Sequence, residues 1–286
     1  MRSIVPVLTM IAALIAIWYG SAVALNSAWA LDKAKRADVT LSTSELIADT
    51  WSQEKPRLPA PHQVGAEIWK TTVEKKITSK RSLIYHSWIT MQATLLGFGL
   101  GTLLGFALAV GIVYSGVMDR TVMPWVIASQ TIPILAIAPM IIVVLNSIGI
   151  SGLLPKAIIS MYLSFFPIVV GMVKGLRSPD AMQLDQMKTW SASGTQEFWK
   201  LRLPSSMPYL FTSMKIGMAA SLVGAIVGEL PTGAVAGLGA RLLAGSYYGQ
   251  TIQIWSALLM AAALAASMVG IIGLLQKVSL KRMGMA

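Results

Sequence analysis

The sequence contains no cysteine and only two histidines among its 286 residues. Without cysteine, the chain has no disulfide, no thiolate metal site and no cysteine nucleophile. His62 and His86 lie far apart, and neither has a metal-ligand partner at close spacing. We therefore expect neither a metal site nor a catalytic centre. Charge is also scarce, because only 12% of the residues are charged, about half of the ~25% usual in a soluble domain.

Three long segments lack Asp, Glu, Lys and Arg: residues 82–118, 121–155 and 242–276. They are 37, 35 and 35 residues long. Helices of soluble proteins need a polar outer face, whereas about 20 consecutive apolar residues are enough to cross the hydrocarbon core of a bilayer. The pattern argues against a soluble enzyme, a disordered chain and a secreted disulfide scaffold. It predicts an all-α membrane protein.

Six segments are apolar enough to span a membrane, and they lie near residues 4–25, 88–114, 122–147, 152–173, 209–230 and 251–275. We divide the chain into a first transmembrane helix (1–30), a polar outer segment (31–87) and a five-helix core (88–280). Ala28-Trp29-Ala30 after an apolar run also resembles the cleavage site of a signal peptide. The length of the run favours a retained span.

Basic residues are unevenly divided between the two sides of this topology. With the N-terminus in the cytoplasm, the outer side of the core carries only Lys156 and Arg241. The cytoplasmic side carries Arg2, Arg120, Lys174, Arg177, Lys188, Lys200, Arg202, Lys277, Lys281 and Arg282. Such an excess of Lys and Arg marks cytoplasmic loops. We therefore attribute the net charge of +11 to the orientation of the chain in the membrane, and we predict no nucleic-acid partner.

The outer segment contains the main amphipathic pattern outside the spans. Within residues 64–77, apolar residues recur at near-helical spacing. Such a helix can lie on the membrane surface, where Trp69 suits the headgroup zone. Membrane lipid is therefore an expected partner of this segment.

Small residues form stripes on two of the predicted spans. The second span has a small residue at every fourth position, namely Ala93, Gly97, Gly101, Gly105 and Ala109, and such faces let membrane helices approach closely. On the fifth span a similar stripe ends at Glu229, which can hydrogen-bond loop amides, bind a cation, pair with Arg241 or lie solvated at a helix end. The glycine-rich residues 231–250 that follow form either a partly re-entrant gate or a surface loop.

Polar groups in or near the spans are candidates for the transport pathway or its gate. They are Gln130, Asn146 and Glu229. For Gln130 and Asn146, hydrogen bonding between helices is the alternative, and we favour it slightly.

The longest inner loop, residues 174–207, contains sequence signals for two short helices and for a binding surface. Pro179-Asp180 can start a helix, and Ser193 or Thr195 can cap a second one. Its large aromatic residues among charges, including Trp190 and Phe198, are typical of a protein-binding surface. Packing on the lipid interface is the alternative.

The end of this loop, SASGTQEFWKLRLPSSMPYLF, resembles the permease subunits of bacterial binding-protein-dependent ABC importers. The nearest branch transports nitrate, sulfonates, taurine and aromatic vitamin precursors. The family signature is Glu-Ala-Ala, three residues, Gly, nine residues, an aliphatic residue, one residue and Leu-Pro. Counting back from Leu203-Pro204 places the acid at Asp185 and the glycine position at Ser191. Both alanines are absent. AGLGARLL and the glycine-rich second span extend the resemblance to about residues 64–280.

The resemblance implies a type I importer permease with six transmembrane helices and a cytoplasmic coupling helix. It assigns coupling to Asp185, Trp190, Ser191, Ala192, Ser193, Phe198 and Pro204. It implies a dimer of cytoplasmic ATP-binding subunits holding ATP and Mg, a periplasmic solute-binding protein and a second permease copy, giving a homodimer. The location is the bacterial inner membrane, with the N-terminus in the cytoplasm.

The expected function is therefore ATP-driven import of a small organic or anionic solute. The sequence contains no G-x-x-x-x-G-K-[ST] phosphate loop, so the ATPase is expected on another chain. The alternative is a stand-alone secondary transporter or channel that uses Glu229 as an ion site. A membrane enzyme has no support in the sequence.

Overall fold

A computed structural model of the chain describes residues 4–231 and 235–285. All regular secondary structure in these two ranges is helical. Five helices are long and apolar enough to cross a membrane, and a sixth crossing arises when one bent helix pair is counted as a single span. The all-α membrane fold is thus confirmed, and the expected number of six crossings is reached when that pair is counted as one span. Arg2, used above for orientation, lies outside the described residues.

The helices follow in chain order and are separated by short connections. They are α1 (Ile4–Arg36), α2 (Thr43–Ser52), α3 (Pro61–Trp69), α4 (Leu83–Tyr114), α5 (Gly116–Ser129), α6 (Ile134–Ser147), α7 (Leu153–Leu176), α8 (Ala181–Thr189), α9 (Gly194–Glu197), α10 (Leu203–Glu229), α11 (Leu238–Tyr247) and α12 (Thr251–Arg282). Two π-helical turns complete the set, Lys70–Glu74 after α3 and Phe198–Arg202 between α9 and α10.

The third predicted span, residues 122–147, was wrong as a single straight helix. It consists of α5 and α6, which meet at an angle of 99°. Pro133 is the N-cap of α6 and has an extended backbone, with ψ of 119°. Proline supplies no N–H for a continuing helix and disfavours helical geometry at the residue before it, which accounts for the break.

Two further segments differ from the sequence prediction. The glycine-rich residues 231–250 contain the ten-residue helix α11, where we expected a loop; residues 232–234 lie outside the described ranges. The predicted amphipathic helix over 64–77 begins earlier, at Pro61, and ends with the π-helical turn at Glu74. Proline at the first position explains the earlier start, because its fixed φ suits a helix N-terminus.

Two compact units make up the chain. The first contains the residues up to Ser87 and Ala240–Ala261. Within it, Asn26 of α1 is fully buried; its Nδ2 donates to the Leu58 carbonyl at 2.8 Å, and its Oδ1 accepts from the Leu58 amide at 3.2 Å. Because a buried amide needs hydrogen-bond partners, Asn26 fixes the segment after α2 onto α1.

The second unit contains Trp88–Gly239 and the residues from Ala262 onwards. Its apolar core is centred on α7, where Ile168 and Met172 are fully buried. The predicted glycine stripe of α4 packs against this helix, and a Cβ atom added at Gly97 would overlap Ser160. The close approach expected from the stripe is therefore confirmed.

Helix α10 packs on α7 in the same way. A Cβ added at Gly224 would lie 2.7 Å from the Cα of Ser160. The hydroxyl of Ser221 donates to the carbonyl of Thr94 on α4 at 2.9 Å and lies 3.0 Å from the Ser160 hydroxyl. Small residues and serine hydroxyls, the usual contacts between membrane helices, thus hold α4, α7 and α10 together.

Candidate functional site

Capping residues define both short helices of the 174–207 loop. Asp180 caps α8, because its Oδ1 accepts from the Gln183 amide at 2.8 Å and Gln183 Oε1 accepts from the Asp180 amide at 3.2 Å. Ser193 caps α9 through the equivalent reciprocal pair with Gln196. These capping boxes satisfy backbone donors that the helices leave free. The predicted start at Asp180 is confirmed, and of the two candidates for the second cap, Ser193 is the correct one.

The turn between α8 and α9 has a left-handed backbone conformation of the kind that glycine usually adopts, although the residue there is serine. The amide of Ser191 donates to the Lys188 carbonyl at 2.8 Å, and the amide of Ala192 donates to the Met187 carbonyl at 3.0 Å. This pair of bonds is the Schellman motif, which ends helices through a left-handed residue. Ser191 is that residue, with φ of 53°. It occupies the position that the family signature assigns to glycine.

A surface cavity of about 420 Å³ lies beside this turn. It is lined by Gln183, Gln186, Met187, Trp190, Ala192, Gln196, Lys200 and Leu201. Trp190 is 68% exposed, although it is the largest apolar side chain at the rim. Exposed aromatic residues are favoured in the cores of protein interfaces.

Asp185 lies on α8 and forms an exposed ion pair with Lys188, with Oδ1 and Nζ 2.9 Å apart. Its carboxylate raises the pKa of the Lys188 ammonium by accepting this hydrogen bond. Such an exposed pair contributes little to stability. The two charges are therefore available to a partner surface.

Arg202 connects the loop to the membrane-spanning helices. Its Nε lies 2.5 Å from Glu197 Oε1, and its Nη1 donates to the Leu176 carbonyl at 2.9 Å, at the end of α7. The guanidinium also lies 5.8 Å from the ring centre of Tyr114, the last residue of α4. A planar guanidinium can serve several partners at once, so Arg202 ties three helix ends together.

Phe198 lies on the side of the loop that faces the helices. The Phe198 ring packs edge-on against Tyr114 at a centroid distance of 6.1 Å. Pro204 is the second residue of α10 and directly follows the π-helical turn Phe198–Arg202. The structure thus groups Trp190 and Ala192 at the cavity and separates Phe198 from it. Their roles in coupling remain predictions.

At the opposite end of α10, Glu229 is fully buried. The hydroxyl of Thr90, on α4, lies 2.9 Å from both carboxylate oxygens. The amide of Gly239 donates to Glu229 Oε2 at 2.8 Å, and the amide of Leu238 donates to the Thr90 hydroxyl at 2.9 Å. Buried carboxylates require such partners. Of the interpretations open for Glu229, the structure shows a hydrogen bond from an amide of residues 231–250, in the first turn of α11.

Gly237 makes this arrangement possible. Its φ is +125°, which only glycine adopts readily, and a Cβ atom there would overlap the Glu229 carboxyl group. The Gly-Leu-Gly part of AGLGARLL thus wraps the carboxylate. We did not predict Thr90 as a partner, although its hydroxyl completes the cluster.

Asn146 and Gln130 are separated in the structure. Asn146 lines a cavity of about 330 Å³ near Glu229, together with Lys156, Gly228 and Pro231. The Lys156 ammonium donates to the Ala236 carbonyl at 3.3 Å. Gln130 is exposed at the bend after α5 and donates to the Ser129 hydroxyl at 3.3 Å. Only Asn146 therefore joins Glu229 at the same end of the helices.

Residues 101–285 match the family described as the binding-protein-dependent transport system inner membrane component. The chain belongs to this family. It is 31% identical over 183 residues to the formylaminopyrimidine transport permease protein ThiX of Halalkalibacterium halodurans, covering 64% of this chain and 68% of the relative. It is 28% identical over 220 residues to the riboflavin transport system permease protein RibX of Chloroflexus aurantiacus, covering 77% and 78%.

The fold of this permease is similar to a solved structure of the MetNI methionine ABC transporter in an inward-facing conformation, with a TM-score of 0.59 and 19% identity. The match covers 70% of this chain and 95% of that chain. The protein is thus a multi-pass membrane permease of an ABC importer for a small solute, and the resemblance inferred from the sequence is confirmed. Membership of the family implies an ATP-binding subunit and a substrate-binding protein as partners. A stand-alone transporter is not favoured.

Proposed function

We propose that the 174–207 loop docks onto a cytoplasmic ATP-binding subunit and carries its movement to the transmembrane helices. The observation that carries this proposal is the surface formed by Trp190 and Ala192 at the Schellman turn, beside a cavity that a partner side chain can fill. Arg202 supports it, since its contacts join the loop to the ends of α4 and α7. Through these contacts, a movement of the docked ATP-binding subunit can displace the ends of α4 and α7 while the loop moves as a rigid piece.

The full assembly in this proposal has two permease copies and two ATP-binding subunits in a bacterial inner membrane. The N-terminus of each permease is cytoplasmic, as the distribution of basic residues favours. ATP and Mg bind to the partner subunits, whose closure drives a rigid-body switch of the permease pair. A periplasmic binding protein delivers the solute to the end of the helices where Glu229 and Asn146 lie.

We further propose that the solute is a small nitrogen-containing heteroaromatic compound. The named cargoes of the relatives ThiX and RibX, formylaminopyrimidine and riboflavin, share this chemistry. Such rings carry several hydrogen-bonding groups. The cavity at Asn146 offers an amide beside the Lys156 ammonium and apolar walls such as Ile142, which suits a flat, polar ring.

The docking proposal is tested by Ala192→Arg. The added side chain fills the cavity and places a second cation near Lys200, so we expect loss of the co-expressed ATP-binding subunit during purification. Ala37→Arg is the matched control, because Ala37 is exposed and lies outside the loop. Equal recovery of the ATP-binding subunit with both variants, at equal membrane insertion, would contradict the docking assignment.

The cargo proposal is tested separately with the substrate-binding protein isolated through its complex with this permease. Binding of that protein to formylaminopyrimidines or flavins, measured by calorimetry, is the expected result. Binding of sulfonates or nitrate instead would reject a heteroaromatic cargo and leave the docking proposal untouched.

A further inference from the structure

Large apolar side chains are exposed just before the start of α4. Trp69 is 62% exposed, Val73 57% and Ile77 63%. Trp69 and Val73 lie one turn apart on the same helical stretch, and Ile77 lies in the turn that follows. Clustered exposure of this kind marks an interaction surface. We call residues 69–81 the juxtamembrane strip.

The same strip is strongly basic. Its basic residues are Lys70, Lys75, Lys76, Lys80 and Arg81, against Glu74 as the one acid, so its formal charge is 5 − 1 = +4. Apart from the partly exposed Lys75, these cations are exposed. Alternation of apolar and cationic side chains is the composition that binds lipid headgroups.

Hydrogen bonds hold the strip against the beginning of α4. The Ser82 amide donates to the Ser79 carbonyl at 2.9 Å, and His86 Nε2 lies 3.0 Å from the Lys80 carbonyl. The membrane-spanning helix α4 begins at Leu83, two residues after the strip ends. The last turn of the strip is therefore fixed to the start of a helix that is long and apolar enough to cross the membrane.

We infer that the juxtamembrane strip binds the surface of a membrane rich in anionic phospholipid. Trp69 then occupies the headgroup zone, where its amphipathic ring is favoured. Val73 and Ile77 enter the edge of the acyl region, and Lys70, Lys76 and Lys80 contact lipid phosphates. The positive charge and the position beside the start of α4 favour lipid over a protein partner, which would need no such excess of cations.

The absence of cysteine from the chain allows a direct test on the full-length protein. A nitroxide spin label at Val73→Cys reports depth through its relative collisions with oxygen and a water-soluble nickel chelate. The protein is reconstituted in vesicles of phosphatidylcholine alone or of phosphatidylcholine and phosphatidylglycerol. Ala48→Cys is the control, because Ala48 is exposed and its neighbour Asp49 contacts Lys33 in the last turn of α1.

We expect the label at position 73 to favour oxygen only in vesicles containing phosphatidylglycerol, and the label at 48 to favour the nickel chelate in both. A label at 73 that is shielded from both reagents indicates a protein cover and overturns the inference. Equal nickel accessibility at 73 and 48 overturns it too. Ile77→Cys gives an independent reading if the first variant is poorly inserted.

Charge removal tests the role of the anionic lipid. The triple variant K70Q/K76Q/K80Q is made in the protein that carries the spin label at position 73. Its control is K35Q/R36Q/K55Q in the same labelled protein, which removes the same charge from exposed residues of the same unit. Each lysine near an anionic surface changes partitioning about fivefold. The first triple variant should therefore lose the phosphatidylglycerol dependence and the second should keep it. The same loss in both variants contradicts specific binding by the strip.

Discussion

The Arg202 guanidinium donates a hydrogen bond to the Leu176 carbonyl at 2.9 Å and so joins the base of the 174–207 loop to the last residue of α7. The same guanidinium pairs with Glu197 of α9. Its side chain is only 18% exposed, which protects both contacts from water. One residue therefore connects the proposed docking surface with the transmembrane helices.

Replacement of this arginine should separate ATP hydrolysis from transport. Arg202→Gln removes the fork that serves two partners, and we expect lower uptake per ATP hydrolysed in reconstituted vesicles, with a loss of about 1–3 kcal/mol in loop stability. Arg120→Gln is the control, since Arg120 is exposed on α5. An unchanged ratio of uptake to hydrolysis in the Arg202 variant would show that these contacts are only structural.

The left-handed turn at Ser191 gives a second prediction. Ser191→Gly keeps the Schellman hydrogen bonds and should stabilise the loop by about 1 kcal/mol, because the left-handed conformation costs glycine almost nothing. Ser191→Val should destabilise it by about 1–3 kcal/mol, since a branched side chain is strained there. Thermal unfolding and recovery of the ATP-binding subunit measure both effects. If valine and glycine behave alike, the turn geometry does not govern docking.

The buried carboxylate gives a third prediction. Glu229→Gln keeps the size of the side chain but replaces one acceptor oxygen by an NH2 group. If the remaining oxygen accepts from the Gly239 amide, the NH2 group faces the Thr90 hydroxyl, which already accepts from the Leu238 amide, so one of its hydrogens stays unpaired. An unpaired buried donor costs about 1–3 kcal/mol, so we expect a lower melting temperature. We also expect slower uptake if the cluster acts as a gate. Thr90→Val, which removes the hydroxyl from the same cluster, should act in the same direction.

Uptake by the folded fraction distinguishes the two roles of Glu229. A variant that is less stable but transports normally would make the carboxylate a structural group. Reduced uptake at temperatures where the variant remains folded would support the gate.

The contact between α7 and α10 gives a fourth prediction. Gly224→Ala places a Cβ 2.7 Å from the Cα of Ser160, and we expect a loss of about 1–3 kcal/mol from overpacking. Gly99→Ala is the matched control, because no atom lies within 4 Å of its added Cβ, so the helix should gain stability slightly. Melting temperatures in detergent compare the two. Equal values would mean that the helices shift apart at no cost.

Features that depend on neighbours in the sequence could be predicted well. The caps at Asp180 and Ser193 follow from short-range hydrogen bonding, and the stripe at Gly97 follows from the helical period. The resemblance to the family signature, counted back from Leu203-Pro204, implies the glycine position at Ser191. Each of these signals lies within a few turns of helix.

Features that join distant parts of the chain could not be predicted. Thr90 and Glu229 are 139 residues apart in the sequence, and no periodic pattern links them. The bend before Ile134 was hidden by the apolar composition on both sides of Pro133, since hydropathy reports burial in lipid and carries no information on direction. The proline itself was the signal, because it disfavours helix at the preceding residue.

The π-helical turn Phe198–Arg202 has a consequence for the angular position of the docking surface. A π-turn holds about one residue more than an α-turn, and one residue corresponds to about 100° of rotation about a helix axis. The extra residue therefore determines the direction, around the axis of α10, in which α9 points. Deleting one residue from this turn would leave the side chains of α10 in place. It would rotate Ser193, and the surface formed by Trp190 and Ala192, by about 100° around the axis of α10.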